Sequence, residues 1–173
     1  VKIRTEPAPI RMGIFKALGA NPVPMDFGEV FTSLQQGVID AGENTFENIK
    51  SQGFHTVQKY ITVDGHILDP MLIVMSKKTW DKLSDGEKEN LMKAVKKTTA
   101  WELENAFGNN KKVMEEFKAA STPEVIMLTP EQRAAFREAS KSVIEENKAD
   151  IDMAMYEKIQ KFQESYKEEA PNS

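Results

Sequence analysis

Short apolar runs alternate with amphipathic stretches through the first half of the chain and divide it into many small elements. Residues 2–5 read as a short strand ended by Pro7 and Pro9. Residues 10–18 read as a helix with Ile10, Phe15 and Leu18 available for burial, and Gly19 stands where a helix end favours a left-handed residue. Residues 23–25 are a brief extended piece that Pro22 and Pro24 confine to an edge or a sheet end. Residues 29–36 are predicted helical, with Val30, Phe31 and Leu34 on one side and Gly37 as the stop. Residues 38–41 read as a buried strand that leads into a polar corner, Asp40-Ala41-Gly42-Glu43-Asn44. A short helix at 46–50 is broken by Gly53. Two strand candidates follow, at 60–63 and 71–76, separated by Asp64-Gly65-His66. The second carries no charge, as expected for a strand covered on both faces.

Strands alternating with helices argue for an α/β layered fold. The second half has a longer period. Ser84-Asp85-Gly86-Glu87 has the form of a capping box and opens a helix predicted over about 85–119. At 1.5 Å per residue such a helix is roughly 50 Å long, more than the width of a domain this size. Leu91, Ala94, Val95 and Thr98 share one stripe, whereas Leu103, Phe107 and Met114 share another, rotated around the axis. The change of face marks a connector that packs on two bodies, with a kink expected at Gly108. Residues 124–128 read as a strand. Thr129-Pro130-Glu131-Gln132 then starts a helix with Thr as N-cap and Pro at the first helical position. A break at 145–148, a last helix over 149–166 and a frayed tail at 167–173 complete the reading.

Composition narrows the function classes. The chain has 173 residues, 40% hydrophobic and 29% charged, an ordinary globular composition. Its net charge of −4 argues against nucleic-acid binding, since nothing here neutralises a row of phosphates. Cysteine is absent, which excludes disulfides, Cys-zinc sites and thiol nucleophiles. The longest apolar run, 71–75, is far too short to span a bilayer. The chain opens on Val1, which reads as a cut N-terminus with any export signal lost upstream.

Catalytic motifs are missing. Neither His55 nor His66 has a His or carboxylate at helical i, i+4 spacing, so no metal site is expected. Phosphate-cradling loops and Gly-x-Ser-x-Gly do not occur, and no cofactor or enzymatic activity is expected. Arg4 stands out, a charge inside a strand just before a Pro-containing loop. It is either a strand-edge residue pointing to water or a carboxylate clamp, for which a planar guanidinium fork is well shaped. Asn44 either donates its amide to such a carboxylate or N-caps the next helix. Phe27 is either a core plug or a lid over a ligand. Glu43, beside a buried strand, needs a cationic partner.

Five segments carry a family resemblance: Lys2-Ile3-Arg4, Ala17-Leu18-Gly19-Ala20-Asn21-Pro22, Phe27-Gly28-Glu29-Val30-Phe31, Leu34-Gln35-Gln36-Gly37-Val38-Ile39-Asp40 and Glu43-Asn44. It continues through Val57-Gln58-Lys59-Tyr60, Gly65-His66 and the run from Met75 to Ser84. These segments resemble the DctP-type solute-binding proteins of tripartite ATP-independent periplasmic (TRAP) transporters. The resemblance implies a periplasmic-binding-protein-like (Venus flytrap) fold, a hinge that closes on ligand and no catalysis. It also implies a small organic acid, such as a dicarboxylate, delivered to a membrane permease from the periplasm. Arg4 would bind the ligand carboxylate, Asn44 would hydrogen-bond it and Phe27 would wall the pocket. Glu43 and His66 would orient Arg4 from behind. The chain would be the C-terminal half of such a protein. Residues 1–68 would belong to the second lobe, 69–108 to the first with the start of the connector, and 109–166 to the rest of the second. Strand 71–76 would then lack neighbours, and an oligomer or swapped assembly is expected. Two departures from the family pattern are Ala41-Gly42 in place of Gly-Gln and Thr45 in place of Pro; Thr5-Glu6-Pro7-Ala8 also replaces the commoner Val-Pro-x-x. The alternative, from the residues alone, is a helical interaction module whose 85–119 face meets a partner.

Overall fold

The computed structural model describes residues 1–68 and 70–166, so the expected tail at 167–173 lies outside the described residues. The chain folds as two compact units, one made of Val1–Glu43 with the chain from Thr129 onward, the other of Asn44–Leu128.

The first unit is built on three parallel strands, β1 (Lys2–Thr5), β2 (Asn21–Pro24) and β3 (Ala41–Gly42), in the order β2-β1-β3. Helix α1 (Pro9–Ala17) connects β1 to β2, and a turn of 3-10 helix at Phe27–Glu29 with α2 (Val30–Gln35) connects β2 to β3. The chain therefore leaves β1 to one side and returns on the other. With right-handed crossovers the two helices lie on opposite faces, and the strand order reverses at β1. Phe15, Val30, Leu34 and Ile39 fill the core. The later part of the chain adds α6 (Pro130–Glu146) and α7 (Met153–Tyr166). α6 packs on α1, where Gly13 meets the buried Val143 so closely that a Cβ would fall 2.9 Å from its Cγ1.

β2 forms an edge of this sheet. Asn21 N–H donates to the Val1 carbonyl (2.8 Å) and Met25 N–H to that of Thr5 (3.3 Å), so the alternate residues Pro22 and Pro24 turn their backbone away from β1. That outer side has no N–H to offer another strand. β3 is shorter than the 38–41 run predicts. The amides of Val38 and Ile39 donate back to Ser33 at the end of α2, with Gly37 at φ +69°, so strand bonding begins only at Asp40, whose amide donates to the Lys2 carbonyl. Lys2 ties this turn from the other side: its Nζ donates to the Val38 carbonyl (2.6 Å).

In the second unit, β4 (Tyr60–Val63) and β5 (Glu124–Met127) form a parallel pair. A parallel pair needs a long crossover, here α4 (Lys77–Trp80) and the 36-residue α5 (Asp85–Ala120). The capping boxes expected at Ser84/Glu87 and at Thr129/Gln132 are both formed. α5 is helical straight through Gly108. The neighbouring Asn110 instead accepts from the amide of Phe46 (2.9 Å) at the start of α3 (Phe46–Ser51), which satisfies a helix-end donor from another element. Lys50 pairs with Glu116, and Phe117 packs between Phe46 and His55, ring centroids 6.3 and 5.3 Å away.

Residues 71–76 are not a strand. Among the described residues no strand pairs with them, and Met71, Leu72, Ile73, Val74 and Met75 are exposed. An apolar run becomes a strand only where a neighbour satisfies its backbone.

Candidate functional site

The carboxyl ends of β1 and β3 meet where the strand order reverses, the position at which open α/β sheets present ligands. Arg4 sits there, on β1, with Val23 and Gly42 as its register partners. It is 4% exposed, so the sequence alternative of an edge arginine pointing to water is not realised. Its Nε donates to the Met25 carbonyl at 2.9 Å, and its guanidinium carbon lies 5.7 Å from the centroid of the Phe27 ring. The carbonyl and the ring fix the guanidinium plane. Among the described residues no carboxylate pairs with Arg4. The fork formed by its two Nη groups retains donors that a carboxylate can meet bidentately.

Glu43 follows β3 directly, and its side chain is 7% exposed. Its cation is Arg11 on α1, 3.4 Å away through Nη1, and no hydrogen bond or ion pair joins Glu43 to Arg4 among the described residues. Arg11 also lies 3.7 Å from Glu6, which is half exposed. Phe27 opens the turn before α2 and is partly exposed, against the guanidinium rather than sealed in the core.

Asn44 and His66 lie in the second unit. The helix cap that was one reading of Asn44 belongs to Thr45, which accepts from the Asn48 amide. Asn44 Oδ1 instead accepts from Thr45 N–H (3.0 Å) and from Asn48 Nδ2 (2.6 Å), and its own Nδ2 makes no hydrogen bond among the described residues. His66 Nδ1 is 2.8 Å from Asp64 Oδ1. Burial opposes ionisation of Asp64, but the hydrogen bond and charge of His66, with backbone donors, outweigh it and hold the carboxyl below the ordinary aspartate range.

Sequence reasoning missed Arg11, the Met25 carbonyl and Asp64. Arg11 left a trace: it is a cation in the first turn of a helix, against the helix dipole, with no acidic residue in that turn to offset it. No cluster of His, Asp or Glu suited to a metal occurs among the described residues, and no helix there is long and apolar enough to cross a membrane.

Comparison with known proteins places this geometry in a family. Residues 1–150 match the model of the bacterial extracellular solute-binding proteins, family 7 (DctP). The chain is 31% identical over 159 residues to the sialic acid-binding periplasmic protein SiaP of Vibrio cholerae, covering 92% of this chain and 48% of that protein. It is 34% identical over 146 residues to the C4-dicarboxylate-binding periplasmic protein DctP of Rhodobacter capsulatus, covering 84% of this chain and 44% of that protein. The crystal structure of the sugar acid binding protein DctPAm of Advenella mimigardefordensis with galactonate superposes with a TM-score of 0.85 at 30% identity, covering 92% of this chain and 51% of that one. The chain thus spans about half the length of the curated relatives it matches. The Venus flytrap fold read from the motifs agrees with these neighbours, and the chain belongs to the DctP family of TRAP-transporter solute-binding proteins.

Proposed function

We propose that this chain supplies the carboxylate-binding part of a periplasmic receptor that holds a small organic acid and delivers it to the membrane subunits of a TRAP transporter. The observation that carries the reading is Arg4: a buried guanidinium at the carboxyl edge of the sheet, aimed by Met25 and Phe27, with no carboxylate paired to it among the described residues. Leaving a buried cation without an anion is costly, and a ligand carboxylate removes that cost. Phe27 forms the wall beside the clamp, and Asn44 contributes its Nδ2 as a further donor. Glu43 and His66 act behind these contacts, Glu43 by holding Arg11 and His66 from its bond to Asp64. Relatives that bind C4-dicarboxylates and galactonate support an acid as the ligand. The exposed apolar run at 71–75 supports a further part of the proposal, association of this chain with another strand-bearing chain.

Calorimetry on the longest natural protein that carries this chain tests the clamp. Arg4→Ala is expected to weaken binding of the preferred acid by at least about thirtyfold, the loss of a buried bidentate charge pair being worth about 2–5 kcal/mol. Arg4→Lys is expected to recover only part of it, because an ammonium lacks the fork. Unchanged affinity in Arg4→Ala refutes the assignment.

A further inference from the structure

We propose that Asn110 is a positioning residue for ligand capture: from α5 it holds the first turn of α3, and through that turn the carboxamide of Asn44. The inference rests on the proposed role of Asn44 as a donor to the acid. Both residues lie in the second unit.

Asn44 presents its Nδ2 in a fixed direction only if its oxygen is held. Oδ1 accepts from the Thr45 amide (3.0 Å) and from Asn48 Nδ2 (2.6 Å), while Nδ2 makes no hydrogen bond among the described residues. A carboxamide whose oxygen takes two donors has its plane set, and its NH2 is left for another acceptor. Both donors belong to the start of α3: Thr45 is its N-cap and Asn48 lies in its first turn. The aim of Asn44 therefore depends on how firmly that turn is made.

α3 is not firm by itself. It has six residues, well below the length of about 12–15 at which an isolated helix becomes even marginal in water. Side-chain contacts seat it on α5: Lys50 pairs with Glu116, and the Phe46 ring packs on Phe117. Neither touches the backbone that carries the cap. Asn110 does, its Oδ1 accepting from the Phe46 amide at 2.9 Å. That amide follows the Thr45 amide that holds Asn44, and it is a helix-end donor that α3 cannot satisfy from within. Asparagine is a weaker former of helix interiors than alanine, and here it stands half-buried in the 36-residue α5 with its oxygen committed to another element.

Without the Asn110 oxygen the first turn of α3 opens more readily, and Asn44 has to be ordered when the solute arrives. Ordering such a side chain on binding lowers affinity about fivefold. The linkage is reciprocal, so saturating acid strengthens the Phe46 bond by the same factor.

The test is calorimetric titration of the longest natural protein that carries this chain with galactonate and with succinate, in wild type, Asn110→Ala, Asn44→Ala and the double variant. Asn110→Ala is expected to weaken the better-bound acid about fivefold, and to add nothing once Asn44 is alanine. Affinity unchanged in Asn110→Ala overturns the inference, as does an equal further loss in the Asn44→Ala background, which marks a general loosening of the unit. Alanine keeps the helix propensity of α5. Should the variant still fail to fold, amide hydrogen exchange on wild type decides: saturating acid is expected to slow exchange at Phe46 about fivefold while leaving Glu87, at the other end of α5, unchanged. Equal effects at both amides, or none at Phe46, overturn the inference. Weakened binding in Asn44→Ala with Asn110→Ala unaffected leaves the role of Asn44 standing and removes only that of Asn110. Full affinity in Asn44→Ala, or no binding of either acid by wild type, removes both.

Discussion

Replacing Gly13 by Ala sets two effects of known size against each other. In the middle of α1 the change restores helix propensity, a gain of about 1 kcal/mol. It also places a methyl 2.9 Å from Val143 Cγ1 and 3.5 Å from Cγ2, inside the contact between α1 and α6. Overpacking of this kind costs about 1–3 kcal/mol. Val143 cannot give way cheaply, because it is buried and a β-branched residue in a helix has one strongly favoured rotamer. Relief therefore requires α1 and α6 to separate. The clash is expected to prevail, with a net destabilisation of about 1 kcal/mol. Val143→Ala alone removes two buried methyl groups and is expected to cost about 2 kcal/mol. In that background the added methyl has room and the propensity gain emerges, so Gly13→Ala is expected to become stabilising by up to about 1 kcal/mol. The four proteins of the cycle, compared by urea unfolding followed by circular dichroism, should give a coupling energy of about 2 kcal/mol. A Gly13→Ala protein more stable than wild type, with additive effects to within about 0.3 kcal/mol, refutes the close-contact account.

Thr5 is fully buried and its hydroxyl has no hydrogen-bond partner among the described residues; an orphaned hydroxyl costs about 1–3 kcal/mol, so Thr5→Val is expected to raise the urea midpoint, and a lowered midpoint means that the hydroxyl is satisfied. Asp64 has a folded-state pKa below its unfolded value, so its contribution is present above the ordinary aspartate value of about 3.9 and fades as pH falls through the folded value. Between pH 6 and pH 3 wild type should accordingly lose more stability than Asp64→Asn, and parallel curves of urea midpoint against pH refute the coupling to His66.

What the sequence disclosed was local. Ser84 and Glu87, or Thr129 and Gln132, sit three residues from the partner each one bonds, so a four-residue window contains the whole interaction. Gly19, Gly37 and Gly53 announce their left-handed turns in the same way. Partners far apart in the chain were hidden. Arg11 and Glu43 are separated by 32 positions, and Asn110 reaches across 64 to cap α3. The Met25 acceptor that aims Arg4 is a backbone carbonyl, which leaves no mark on residue identity. The apolar run at 71–76 has the composition of a strand, but pairing depends on a neighbour that local composition does not specify. Arg4 could be singled out from its type and place; the reversal of strand order at β1 could be known only from the topology.

The two prolines of β2 have a thermodynamic consequence beyond closing a sheet edge. Each locks its own φ near −65° and narrows the conformations of the residue before it, so Asn21 to Pro24 is a stiff rail that ends at the carbonyl gripping Arg4. The freedom that the arginine would otherwise surrender on meeting a solute is given up when the chain folds. Preorganisation of this kind saves about 0.5–1.5 kcal/mol of ordering entropy for each such side chain at the moment of capture. Under the proposed role of Arg4, a strand too blunted to recruit a neighbour thereby becomes a source of affinity for the acid.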